Sequence, residues 1–250
     1  MDTRAIATFD LQSDQYARYR PQYPDMLFRW LQAATPGQQR AWDCATGTGQ
    51  AAVQLSRLFG RVDACDINHS QLDAAEQAAN IMYLECAVEH PPYGDGVFDL
   101  ITVAQSLHWF DFQRFWPHVE RTLRPGGVFA AWGYDWFQVS PEVDDAMRFF
   151  RAVIEPFWSS CSQLLWDGYR DVAMPLPALA TPVYQIVMHW NLEQLLGYLN
   201  TWSATKLCVQ SLGNHVLNDA RQRLARGWGD PAMVRQVSMP LHFIAGRKPA

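Results

Sequence analysis

The sequence of 250 residues has no cysteine pair at the C-x-x-C spacing of a metal knuckle, and its five cysteines form no framework. Cys44, Cys65 and Cys86 each end an apolar run, so they read as reduced core residues rather than as disulfide or zinc partners. Lysine is nearly absent, with Lys206 and Lys248 alone, and no cluster of basic residues interrupts a net charge of -5. A chain of this kind has no electrostatic footprint for a phosphate backbone, and nucleic acid is excluded as an expected partner. No run approaches the ~20 apolar residues of a membrane span, and Met1 to Asp10 lacks the basic and apolar regions of a signal peptide. The expectation is a cytoplasmic protein with no membrane partner. Repeats and low-complexity segments are also missing.

What is present is a hydrophobic content of 49%, enough at this length for a full core within a single decorated domain. From Arg40 to Tyr134 short apolar runs alternate with helical stretches, the pattern of a parallel sheet covered on both faces. The strand candidates are Ala41–Ala45, Arg61–Asp66, Ile81–Cys86, Val97–Ala104 and Val128–Tyr134. Gln50–Phe59 and the alanine-rich Ser70–Asn80 are expected as crossover helices. Leu123 to Gly127 reads as a turn, because Pro125 ends a helix and two glycines permit positive φ. Val183–Trp190 and Val237–Ala245 look like two further strands flanking a helical insertion, and Asn191 with Gln194 forms a capping box for a helix in it. Asp135 to Thr181, rich in Trp, Phe, Pro and Asp without clean periodicity, is expected to be a cap over the site. The expected division is an N-terminal helical lid over 1–39, a ligand-binding core over 40–134, and the cap, insertion and last strands over 135–250.

Asp43-Cys-Ala-Thr-Gly-Thr-Gly49 leaves the first strand and opens a helix. Its glycines let backbone approach a ligand closely, and the helix N-terminus offers free N–H groups to a polar tail. Gly47-Thr-Gly49-Gln-Ala-Ala52 also fits the dinucleotide fingerprint, with Asp66 about 20 residues on. Asp43 weighs between the two readings: its charge would oppose a pyrophosphate but suits the cationic S-adenosylmethionine. Alternatively Asp43 caps the loop by accepting backbone N–H groups, and the two roles can coexist.

Asp43-x-Ala45-x-Gly47-x-Gly49, Asp66 ending the second strand, and Val88-Glu89 after the third together resemble the class I S-adenosylmethionine-dependent methyltransferase family, of the type 11 domain. The pattern departs at Ala45, where glycine is more usual. Ala104-Gln-Ser-Leu-His-Trp-Phe-Asp111, Tyr198-Leu-Asn-Thr-Trp-Ser203 and Phe243-Ile-Ala-Gly-Arg247 look like the narrower trans-aconitate methyltransferase-like subgroup. The resemblance implies an α/β, Rossmann-like fold with a mostly parallel seven-stranded sheet, helices on both faces and a helical cap in the C-terminal half. It implies S-adenosyl-L-methionine as cofactor, S-adenosyl-L-homocysteine as product, and a small-molecule acceptor, with a small carboxylic acid suggested by the subgroup.

On that pattern Ala45, Thr46, Gly47 and Gly49 hold the cofactor tail, Asp66 takes both ribose hydroxyls, and Ile67 packs on the adenine. Val88 lines the adenine pocket, while Glu89 is either a contact there or a solvated loop residue. Ala104 and Gln105 follow the fourth strand, at the sheet edge where open α/β folds bind ligands. His108 and Trp109, just beyond, are the catalytic candidates: His108 as a base, a substrate hydrogen bond or a packed residue, and Trp109 as core or as an aromatic face for the sulfonium. Tyr16 and Arg20 belong to a segment that resembles the family's N-terminal fold-over, and Arg18 or Arg20 either pairs with an acceptor carboxylate or solvates a helix. Trp132, Tyr134, Trp136, Trp166 and Tyr169 are expected pocket walls. No metal is implied, and the expected chemistry is in-line displacement on a carboxylate or hydroxyl oxygen, with carbon or nitrogen as the alternative accepting atoms. A binding module without turnover and an NAD-dependent oxidoreductase are the competing readings.

Overall fold

A strand buried on both faces must offer apolar side chains to each, and the fifth predicted run does so with a period of two. Val128, Ala130 and Trp132 enter one buried cluster, while Phe129 and Ala131 enter another on the opposite side. The computed structural model describes residues 19–250, so Tyr16 and Arg18 lie outside the described residues. Within them β1 (Arg40–Cys44), β2 (Arg61–Asp66), β3 (Ile81–Glu85), β4 (Phe98–Ala104), β5 (Leu123–Tyr134), β6 (Tyr184–Trp190) and β7 (Arg235–Arg247) form a seven-stranded sheet in the order β3-β2-β1-β4-β5-β7-β6. The first five strands run parallel, and β7 is antiparallel to both β5 and β6. The order reverses at β1, whose neighbours are β2 and β4, and such a switch point opens a crevice at the carboxyl ends of the strands.

One face carries α1 (Asp25–Ala34) and α2 (Gln50–Ser56) through Leu27, Leu31, Ala51 and Leu55; the other carries α4 (Phe112–Thr122) through Phe115 and Val119. α1 is docked on the sheet, with Trp30 edge-on to Phe243 of β7 at 5.0 Å. The amino end of the sheet is tied by Asp99, 1% exposed, whose carboxylate accepts from Gln39 N, Arg40 N and Arg124 Nη1 at 2.8 to 2.9 Å.

Three expectations on local structure need correcting. The helix expected over Ser70–Asn80 is only α3 (His69–Asp73), because Asn80 leaves the helical path to donate its amide to Ser56 O and Phe59 O at 2.8 and 2.9 Å. That bond fastens the end of α2 and overrides the helix propensity of the alanines. The turn at Leu123–Gly127 is absorbed into β5: Gly126 has φ +75°, and the pairing with β4 shifts register between Phe98 and Leu100. Asp135–Thr181 contains an amphipathic helix, α5 (Pro141–Ile154), with Val143, Ala146, Met147, Phe150 and Ile154 buried at helical spacing and Pro141 in its first turn. α6 (Ser162–Trp166) follows it, and α7 (Leu192–Asn200), α8 (Ser203–Leu212) and α9 (His215–Trp228) fill the insertion between β6 and β7. The capping box is present, Asn191 accepting from Gln194 N while Gln194 accepts from Asn191 N, each at 2.9 Å.

α5 and α9 pack backbone to backbone at Gly227, where a Cβ would stand 2.8 Å from Glu142 O and 3.0 Å from Glu142 C. Main-chain atoms cannot yield as a flexible side chain can. Gly227→Ala is therefore expected to destabilise the protein by about 1–3 kcal/mol, lowering Tm by about 2–4 °C per kcal/mol in a chain of this size. A thermal melt matching the parent protein would refute this packing.

Candidate active site

The chain leaves β1 through Ala45 (φ +51°) and Gly47 (φ +57°) before α2 begins behind Gly49 (φ +80°). Ala45 holds the left-handed conformation at the steric cost that glycine avoids, which is the price of its departure from the family pattern. A Cβ on Gly49 would strike the Tyr83 hydroxyl, so a close approach as well as its φ favours glycine there.

Two carboxylates hold this loop. Asp66, at the end of β2, accepts Gly47 N at 2.8 Å on one oxygen and Asn68 N at 2.9 Å on the other. Burial raises its pKa, and the backbone N–H groups of Asn68, Gly47 and Ile67 oppose that rise. Asp43, fully buried, accepts Thr46 Oγ1 at 2.6 Å and Thr102 Oγ1 at 2.8 Å. Burial pushes its carboxyl up to about 6, against the hydroxyl hydrogen bonds and that from Ala52 N–H. Of the two roles open to Asp43, the structure displays the internal one: the residue lies beneath the loop and does not line the cavity above it.

That cavity begins at the loop, where Ala45, Thr46, Gly47, Asp66 and Ile67 line it, and passes Val88 and Glu89. Glu89 is buried and accepts Asp111 N at 3.3 Å, so it is not a solvated loop residue. Gly49 shapes the turn from outside the cavity wall. Ala104, Gln105, His108 and Trp109 form the next section. Gln105 (φ +63°) spends its amide on β5, donating to Tyr134 O at 2.7 Å and accepting Tyr134 N at 2.8 Å. Its side chain fixes the mouth of the cleft by joining the ends of β4 and β5.

His108 is half-buried, with Nδ1 3.5 Å from Tyr169 Oη and its ring 5.0 Å from Trp109. Burial lowers its pKa to about 4, so the imidazole is neutral at pH 7, and burial likewise raises the Tyr169 phenol. The far end of the cavity is aromatic. Tyr134, Trp136 and Trp166 line it as expected, but Trp132 is wholly buried between Tyr23, Phe28 and Phe243, and Tyr169 stands behind His108. Trp158, Leu165, Tyr198 and Trp202 complete the wall. Trp158 and Leu165 were not anticipated, since nothing in their own spacing marks them; Tyr198 and Trp202 sit in the Tyr198–Ser203 run, which brackets the junction of α7 and α8. Arg20 also lines this end, donating to Tyr134 Oη at 3.3 Å. Among the described residues no group of three potential metal ligands occurs, and no helix is long and apolar enough to cross a membrane.

Comparison with known proteins fits this arrangement. Residues 42–131 match the family model described as "Methyltransferase domain". A provisionally assigned type II methyltransferase from Anaeromyxobacter dehalogenans is 35% identical, covers 93% of this chain and is itself covered completely, with a TM-score of 0.86. A provisionally assigned methyltransferase of Dictyostelium discoideum is 24% identical over 94% of this chain and 93% of its own. Phosphoethanolamine N-methyltransferase 2 of Haemonchus contortus, solved with S-adenosylhomocysteine, shares the fold at a TM-score of 0.52 and 16% identity, over 96% of this chain and 58% of its own.

Neutral burial of His108 has a defined signature. Its folded pKa of about 4 lies below the unfolded value of about 6.5, so the unfolded chain takes up a proton first as pH falls, and folding stability drops across that window. Asp43 acts oppositely: its folded pKa of about 6 exceeds the ordinary aspartate value of 3.8, so acid stabilises the folded state between those values. His108→Gln removes the first effect only. Urea midpoints should show the variant gaining on the parent as pH falls from 6.5 to 4, by at most about 1.4 kcal/mol per pH unit. A difference independent of pH would mean that His108 titrates normally.

Proposed function

We propose that this chain, which belongs to the S-adenosylmethionine-dependent methyltransferase family, transfers a methyl group to a carboxylate oxygen of a small molecule. The observation that carries the reading is one continuous cavity, which joins the loop held by Asp66 to an aromatic chamber past a neutral His108.

The residues present fit the cofactor. Asp66 lines the cavity with a carboxylate acceptor for the ribose, with apolar Ile67 and Val88 beside it for a flat base. Thr46 and Gly47, between β1 and α2, would take the amino-acid tail. S-adenosylmethionine, when bound, supplies an electrophilic methyl carbon and leaves as S-adenosylhomocysteine. The protein contributes alignment and water exclusion.

His108 favours the acceptor being already ionised. A base whose pKa is about 4 draws a proton poorly from a hydroxyl, whereas a carboxylate has none to lose. His108 then positions the acceptor through a ring nitrogen, and Arg20 supplies a cation on the same cavity wall. The fold also has dinucleotide-binding relatives in principle, and Asp43 no longer excludes them by direct contact; family membership does that instead. Partners are small molecules on this reading.

Calorimetry should show S-adenosylhomocysteine binding and no NAD binding, and Asp66→Ala should weaken the former by about 1–3 kcal/mol with the fold retained. NAD binding in place of S-adenosylhomocysteine would overturn the proposal. On a confirmed acceptor, His108→Gln should lower kcat with little change in cofactor affinity, and the parent rate should stay flat from pH 6 to 8. A rate that climbs through pH 6.5 in the parent and not in the variant would make His108 a base and the acceptor a hydroxyl.

A further inference from the structure

The chamber that receives the acceptor is built for an apolar body. Trp136, Trp158, Trp166 and Trp202 come from four separate segments, yet five pairings among them have ring centroids between 5.4 and 6.3 Å apart. All four line the cavity. An assembly of large flat side chains offers contact area and excludes water, and it has few donors with which to replace the hydration of several charges.

Charge around the chamber favours one anion. Arg20 lines it and stands 5.9 Å over the Tyr198 ring. Lys206, in the first turn of α8, is close enough to Arg20 that the guanidinium adds to burial in lowering the ammonium pKa. Arg151 already lies against the indoles, 4.1 Å from the Trp136 ring centroid and 5.4 Å from that of Trp166. A cationic acceptor would meet aromatic faces that carry a cation and two more positive groups nearby. The acids here are engaged: Asp135 bonds His242 Nε2 at 3.2 Å and Trp136 N at 2.6 Å, and Glu155 lies 3.5 Å from Arg151. A tricarboxylate fits no better, because Arg20 is the one cation among the described cavity-lining residues and two carboxylates would be buried against indole.

We propose that the acceptor is a monocarboxylic acid with a bulky apolar body, its carboxylate at Arg20 and its body against the four tryptophans. This rests on the reading of the cavity as a methyltransferase site.

The test is calorimetry on the full chain saturated with S-adenosylhomocysteine, using 2-naphthylacetate, its neutral amide, 2-(2-naphthyl)ethylamine and tricarballylate. The acid should bind about tenfold tighter than the amide, as for a charge-assisted hydrogen bond, and the amine and tricarballylate should bind more weakly still. Arg20→Gln should erase the preference for acid over amide, and Arg20→Lys should retain most of it. The half-buried Trp158, changed to Ala, should weaken acid and amide alike, by about fivefold to tenfold. Amide or amine binding as tightly as the acid, tricarballylate binding best, or no naphthylacetate binding to the cofactor-loaded protein would each overturn the inference. Failure of S-adenosylhomocysteine itself to bind would overturn the parent reading, and the two failures are separate titrations.

Discussion

Burying the Asp43 carboxylate costs free energy, since among the described residues it has no ion-pair partner, and the cost is offset only while Thr46, Thr102 and Ala52 N–H all donate to it. Those three donors belong to the glycine loop, to β4 and to α2. One buried acid therefore fastens together the pieces that meet at the switch point of the sheet. Above it, Asp66 draws in Gly47 N and Asn68 N, so the loop is clamped from below and from the side. The strained φ values of Ala45 and Gln105 persist because these bonds over-determine the backbone on both sides of the cleft.

The strands of the core were legible because burial on both faces forces apolar runs of a length that a helix would not use. The α3 region was not, since alanine-rich Ser70–Asn80 favours a helix locally, and only the long-range bond from Asn80 to the end of α2 decides otherwise. α5 failed for another reason: tryptophans and prolines around it masked an ordinary amphipathic stripe that was present from Val143 to Ile154. Leu123–Gly127 was read as a turn between a helix and the fifth strand, whereas the sheet takes it into β5 with a register shift.

In the site, residues that act from a motif were visible, whereas the aromatic assembly was visible only in part, through Tyr134, Trp136 and Trp166. Asp66, Gly47 and His108 sit at fixed offsets from strand ends, so their placement followed from the strands. Trp158 and Leu165 reach the cavity only because α5 and the turns after it return the chain over the cleft. The state of His108 also lay beyond the sequence: a histidine at that position is a plausible base until the packing of Tyr169 and its neighbours removes water from it and lowers its pKa to about 4.

The two halves of the cavity differ in what similarity can say about them. Residues 42–131 match the methyltransferase family, and they contain the loop, Asp66, Val88, Glu89 and His108. Every tryptophan of the chamber, together with Tyr134, Tyr198 and Asp135, follows that segment, and Arg20 precedes it. On the proposed reading, cofactor handling falls to the shared core and acceptor choice to the elements attached to it, as expected when one fold serves many substrates. β6 and β7 make this attachment rigid: β7 pairs with β5 along its carboxyl half, so the insertion between β6 and β7, which ends α7 at the chamber, is registered to the same strand that carries Tyr134. On that reading a change of acceptor can arise by altering Trp158, Trp202 or Arg20 while Asp43 keeps its bonds to Thr46 and Thr102, and Asp66 its bonds to Gly47 and Asn68.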